Sequence, residues 1–136
     1  MLSILDILVK KNNLLFAYEV KSSVIVSSTY IYDAAFQYYV MTLAGFQPDK
    51  FFIVHLKNTS LDINNISFDE IAFTEITKQV IDLQDFIKNK VEKMITMLQT
   101  NICPNIEQGN HCTIPYQCDF YTICNKLLKD NASTNS

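Results

Sequence analysis

The sequence predicts an α/β domain built on a mixed β-sheet with flanking helices, and three observations carry that prediction. Two apolar, strand-like runs flank the pair Asn12-Asn13 near the N-terminus. A helical stretch follows and closes on Gly45. From about Lys78 to Gln99, the residues Val80, Leu83, Ile87, Val91, Met94 and Leu98 recur at three- and four-residue steps, the period of an amphipathic helix.

Taken in order, residues 3–9 (SILDILV) read as a strand and residues 14–26 (LLFAYEVKSSVIV) as a longer one. Between them Asn12-Asn13 suits a tight turn, because Asn tolerates positive φ. Residues 29–45 (TYIYDAAFQYYVMTLAG) read as a helix with glycine at its C-terminus. Residues 50–56 (KFFIVHL) form a short apolar strand bounded by Pro48-Asp49 and Lys57-Asn58. Residues 57–67 read as polar loop, residues 68–77 as an edge strand, and residues 78–99 as one long helix. After Cys103-Pro104 the texture turns short, cysteine-bearing and turn-rich up to Cys124, and a polar tail follows.

At 136 residues, 49% of them apolar, the chain is long enough for one core and points to a single main domain. The net charge of −3 offers no basic field to attract nucleic acid over a broad surface. All eleven cations are lysines, so bidentate arginine clamps on phosphate are absent and any phosphate contact falls to lysine or to a metal. The apolar start, MLSILDILVKKNN, is too short to span a bilayer and lacks a basic leader and a cleavage site, so the sequence predicts a cytoplasmic protein without a membrane anchor. In that compartment its four cysteines point to metal binding or plain burial rather than to disulfides.

The stretch FAYEVKSS puts an acid and a lysine, Glu19 and Lys21, two apart in an otherwise apolar strand, and therefore on one face. If Asn12-Asn13 is a two-residue turn, Lys11 pairs with Leu14, Val9 with Phe16, and Asp6 falls opposite Glu19. A four-residue loop makes the two acids diagonal neighbours, and an odd-length loop separates them. Opposed carboxylates repel unless a cation neutralises them. Lys21 does so in part, and a hard divalent ion such as Mg²⁺ or Mn²⁺ would do so fully. The spacing alone leaves two readings open, a catalytic site or a solvent-facing cross-strand pair.

These residues also resemble a known pattern. LDILVKKNNLLFAYEVKSS is similar to the PD-(D/E)XK nuclease superfamily, in which an Asp ends one strand of a hairpin and Glu-X-Lys lies on the next. The resemblance runs to the RecB-like branch and, within it, to an uncharacterised bacterial family, the domain of unknown function numbered 2779. It extends over Asp33-Ala34-Ala35-Phe36-Gln37-Tyr38-Tyr39 and over His111-Cys112, Pro115-Tyr116-Gln117-Cys118 and Cys124. The resemblance implies a Mg- or Mn-dependent deoxyribonuclease acting on single strands or ends of DNA. Asp6 and Glu19 would ligate metal together with the Val20 carbonyl. Lys21 would orient the attacking water and stabilise developing charge, and Gln37 would hold the lysine or the scissile phosphate. Gln37 shares a helix stripe with Tyr30, Ala34 and Met41, an apolar lane in which a polar group needs a partner.

Five residues lie between successive members of Cys112, Cys118 and Cys124, and Cys103 stands nine positions before the first. Zinc sites prefer closer pairs, whereas a four-thiolate cluster tolerates looser spacing. The resembling nucleases with a 4Fe-4S cluster draw three cysteines from after the core and one from before it. Here Cys103, or a nitrogen of His111, would complete the set. The implied organisation is a partial nuclease-like core over residues 1–101, a cysteine segment over 102–126 and a disordered tail over 127–136. The family carries a further cysteine, helix and strand ahead of the hairpin, and an Arg where this chain has Ile4. The sequence therefore reads as an N-terminally truncated form, either the product of a split reading frame or a fragment that needs a partner chain for the missing portion, and each loss lowers the expectation of catalysis by this chain alone. A non-catalytic interaction module with a cysteine-ligated iron–sulfur or zinc site is the alternative.

Overall fold

The structure, a computed structural model, describes residues 1–57, 67–100, 102 and 106–124. The chain divides into two compact units, Met1–Leu98 and Gln99–Ser136. The first is the α/β domain that the sequence predicts: a four-stranded mixed sheet with its helices. Cys103 and the tail over 127–136 lie outside the described residues.

The sheet starts with a hairpin, β1 (Ile7–Lys11) and β2 (Leu14–Val20), turning on Asn12 and Asn13. Both turn residues have positive φ, 51° and 62°, the left-handed pair that a two-residue turn between twisted strands requires. The register follows from it: Lys11 faces Leu14, Val9 faces Phe16 and Ile7 faces Tyr18. β1 begins four residues and ends two residues later than the expected span of 3–9, because the two-residue turn extends pairing up to Lys11 while the ladder starts only at Ile7. Asp6 is consequently a bend just ahead of the strand. β2 stops at Val20 rather than at residue 26. Beyond Lys21 the serines turn the chain, with the Ser23 hydroxyl donating to the Ile25 carbonyl at 2.8 Å, the local bonding by which serine competes with strand ladders.

Helix α1 (Ser28–Leu43) carries the chain over the sheet. The Ser27 hydroxyl caps it by accepting the Tyr30 amide. At its far end Gly45 adopts φ +85°, the Gly45 amide donates to the Thr42 carbonyl, and the Phe46 amide to the Met41 carbonyl at 2.9 Å. These two bonds make a Schellman closure, which needs glycine at that point. β3 (Lys50–Leu56) then pairs parallel with β2, and β4 (Ile71–Glu75) closes the sheet antiparallel to β3, giving the order β1-β2-β3-β4. The strand–helix–strand crossover is what makes the sheet mixed.

The expected single helix over 78–99 is two helices, α2 (Thr77–Asp82) and α3 (Gln84–Gln99). The break has a local cause. The Gln84 side chain donates to the Val80 carbonyl at 2.6 Å, the acceptor that its own amide would use in a continuous helix, and also to the Ala35 carbonyl of α1 at 3.2 Å. The core gathers Ala17, Phe51 and Ile53 from the sheet with Ala34, Ala35 and Tyr38 of α1, and Ile76, Val80, Ile87 and Val91 complete it. Among the described residues, no helix is long and apolar enough to cross a membrane.

Candidate functional site

Alternation along β2 decides which side chains enter the site. Ala17 and Glu19 point to the helix side and are buried, while Val20 points away and is exposed. Glu19 is only 7% exposed, an uncommon position for a carboxylate unless a cation stands beside it. Lys21, just past the strand and on the same side, supplies that cation: its Nζ donates to Glu19 Oε1 at 2.7 Å. Its backbone is fixed by an amide bond to the Val54 carbonyl of β3 at 2.8 Å.

The same ammonium reaches α1. Nζ donates to Asp33 Oδ2 at 2.8 Å and lies 5.3 Å from the centre of the Tyr30 ring, within cation–π range. Burial works against the Lys21 charge, but hydrogen bonds to Asp33 and Glu19, and their coulombic attraction, outweigh it and hold the group well above the ordinary lysine value. Lys21 is thus a fixed cation at neutral pH, a group that can hold or stabilise negative charge and not one that gives up its proton.

Gln37 stands one helical turn from Asp33 on α1 and is 3% exposed. Its Oε1 and Glu19 Oε2 are both buried with no hydrogen-bond partner. An unmade bond of this kind is expensive, on the order of 1–3 kcal/mol for a neutral group and more for a charged one. One of these oxygens belongs to the carboxylate that holds Lys21, and the other stands one helical turn from Asp33, the second partner of that lysine.

Asp6 has a different setting. Extending the hairpin ladder by one residue puts it across from Glu19, as the turn length requires. Its carboxylate, however, is exposed and turned to the backbone: Oδ2 accepts the Val20 amide at 2.8 Å and prolongs the β1–β2 ladder with a side chain. Asp6 therefore sits on the shoulder of Glu19, tied to the peptide that joins Glu19 to Val20.

The geometry thus joins Glu19, Lys21 and, through one shared helix face, Gln37. It adds Asp33, which the sequence reading quoted within a motif without giving it a role. The signal was available, since Asp33 and Gln37 are four apart on a helix that follows the Glu-X-Lys strand. His55, on β3, is a second addition. The parallel register continued by one step sets it beside Lys21, where Nε2 meets the Thr74 hydroxyl and Nδ1 the Leu56 carbonyl, each at 2.9 Å.

In the second unit, Cys112 is buried and Cys118 and Cys124 are partly exposed, all three as free thiols. The Cys118 amide donates to the Cys112 carbonyl at 2.8 Å, so the two backbones meet. Among the described residues, no group of three or more His, Cys, Asp or Glu side chains is arranged to hold a metal ion by itself. No protein-family model matches this chain, and no curated protein or solved structure matches it.

Proposed function

We propose that the first unit is a metal-dependent nuclease-like domain of the PD-(D/E)XK type whose substrate is DNA, entered as a single strand or an end. The observation that carries the reading is the buried, unpartnered Glu19 Oε2, on the carboxylate that holds the doubly bonded Lys21 ammonium, with a second such oxygen, Gln37 Oε1, one helical turn along α1 from Asp33. The order of parts agrees with the resemblance: an Asp at the mouth of a hairpin, Glu-X-Lys on its second strand, and a glutamine on the helix that follows.

The donor set suits a hard cation. Glu19 Oε2, the Asp6 carboxylate and the Val20 carbonyl are all oxygen ligands, and Mg²⁺ characteristically takes one or two carboxylates and leaves its other positions to water and phosphate. When bound, Mg²⁺ or Mn²⁺ would supply an activated water and charge neutralisation at the scissile phosphate. The chain's own residues do the rest. Glu19 and Asp6 would hold the cation, and Asp6 keeps the Glu19–Val20 peptide in place. Lys21, held charged by Asp33 and Glu19, faces negative charge that grows at the phosphate. Gln37 presents a carboxamide that can hold the lysine or a phosphate oxygen. If a four-thiolate cluster accompanies the domain, its ligands are Cys112, Cys118, Cys124 and Cys103.

A second reading rests on the same geometry. Lys21 already has a carboxylate on each side, so the cluster also works as a structural clamp between β2 and α1, in a non-catalytic interaction module. Cleavage separates the two. With Mn²⁺ present, the full chain is expected to cut labelled single-stranded DNA, and Lys21→Ala is expected to lower the rate at least ~100-fold, the scale on which one electrostatic group contributes. Equal rates in that variant, or no cleavage with either metal, would leave the clamp.

A further inference from the structure

We infer that the helix-free face of the sheet is the interface of a homodimer, in which two copies of this chain pack sheet on sheet. The inference stands apart from the nuclease reading and uses none of its side chains; Val20 enters that reading only through its backbone carbonyl. Side chains alternate between the faces of a strand, and the core takes only one of those faces, through Ala17, Phe51 and Ile53. The other face carries Ile7 and Val9 of β1, Phe16 and Tyr18 of β2, Phe52 of β3 and Phe73 of β4, as the pairings Ile7–Tyr18, Val9–Phe16 and Tyr18–Phe52 show. None of these six belongs to the core cluster. They form a surface of their own: Tyr18 stacks on Phe52 with ring centres 5.2 Å apart, and meets Phe73 edge-on at 6.2 Å.

Much of this surface is open. Ile7, Val9, Leu14, Val20 and Phe73 are each between 40% and 47% exposed. With roughly 150–250 Å² for a whole aromatic side chain and about 100 Å² for an aliphatic one, the open apolar area is on the order of 400 Å². That lies within the range of the largest patches that monomers carry, about 300–600 Å². Two copies would remove on the order of 800 Å² of apolar surface; with apolar atoms making about 65% of a homodimer interface, the whole contact is on the order of 1,200 Å², the lower edge of specific interfaces.

Charge favours a second copy over a charged partner. Of the strand positions on this face only Lys11, Lys50 and Glu75 are ionic, and Lys50 pairs with Glu75 at 3.0 Å. The face is therefore close to neutral and offers no field for a strongly charged protein or nucleic acid to complement, while a twofold contact sets apolar surface against its own equal. Sheets that pack this way lie about 10 Å apart with strands about 30° from parallel, and rings alternating with valines provide the needed relief.

Sedimentation of the full chain tests this. At about 50 µM, above the micromolar end of the affinities that such interfaces span, the expected mass is twice 15.6 kDa. Phe73→Lys is expected to weaken the dimer at least ten-fold while keeping the circular dichroism of the wild type. Phe86→Lys, on exposed α3 surface away from this face, is expected to leave it intact. If Phe73→Lys does not fold, Phe73→Ser carries the same readout. A wild type that stays monomeric overturns the inference in either form. If it then binds anilinonaphthalene sulfonate strongly, the face awaits a different protein; if it does not, the chain covers the face itself. A dimer equally tight in both Phe73 variants also overturns it.

Discussion

Lys21→Met is expected to lower the stability of the first unit by about 3 kcal/mol at neutral pH, the lower end of what removing one partner of a buried ion pair costs. The cost arises less from the lost attraction than from what stays behind. Glu19 keeps its buried position on β2, and one of its oxygens already lacks a donor. Without the ammonium the second oxygen joins it. Asp33, 43% exposed along its side chain, can turn to water and contributes little to the loss. The double variant Lys21→Met/Glu19→Gln should recover more than half of the deficit, because it removes the stranded charge. A double variant no more stable than Lys21→Met would show that the loss comes from packing.

The pH dependence of the same site has a definite sign. Folding raises the Lys21 pKa, so its contribution is fully present below the ordinary lysine value and is lost as pH rises through the folded one. Urea midpoints should therefore show no lysine-linked change between about pH 7 and 9, and should fall above about pH 10 more steeply in wild type than in Lys21→Met.

Phe51→Ala is expected to cost about 3–5 kcal/mol, since the ring is wholly buried and its loss leaves a cavity. Against a total stability on the order of 5–15 kcal/mol, this removes a large part of what holds the unit together. Phe51 sits where three elements meet. Its amide donates to the Thr77 hydroxyl at the start of α2, and its carbonyl accepts the Ile76 amide. Collapse around the missing ring is hindered because both strand neighbours and α2 are tied to that same residue. Phe46→Ala, at a ring more than half exposed, should cost no more than about 1 kcal/mol. Similar losses at both positions, by urea denaturation, would contradict a core placed on one side of the sheet.

The hairpin register was legible in the sequence because it depends on local terms alone. Two asparagines accept positive φ, and a two-residue turn then fixes every pair along β1 and β2. The parallel strand at Lys50–Leu56 was legible for a similar reason, with Pro48-Asp49 and Lys57-Asn58 bounding an apolar run. What the pattern did not contain was tertiary bonding. The apolar period runs unbroken through Leu83, but the Gln84 side chain takes the Val80 carbonyl and bonds to α1, and so ends one helix and starts another.

The candidate site divides in the same way. Period-two alternation sufficed to put Glu19 and Lys21 on one face. The Asp6 carboxylate turned instead to the Val20 amide, a choice set by the backbone of the neighbouring strand. Asp33 needed the crossover geometry, since a residue twelve positions from Lys21 comes within 2.8 Å only when α1 folds back over β2.

The nuclease reading depends above all on the unpartnered oxygen of Glu19 belonging to a cation site. Calorimetric titration of the full chain with Mn²⁺ tests it most directly. One ion per domain is expected for wild type, with at least ten-fold weaker binding in Glu19→Gln at unchanged circular dichroism. A wild type that takes up no Mn²⁺, or a Glu19→Gln variant that binds it equally well, would contradict the claim.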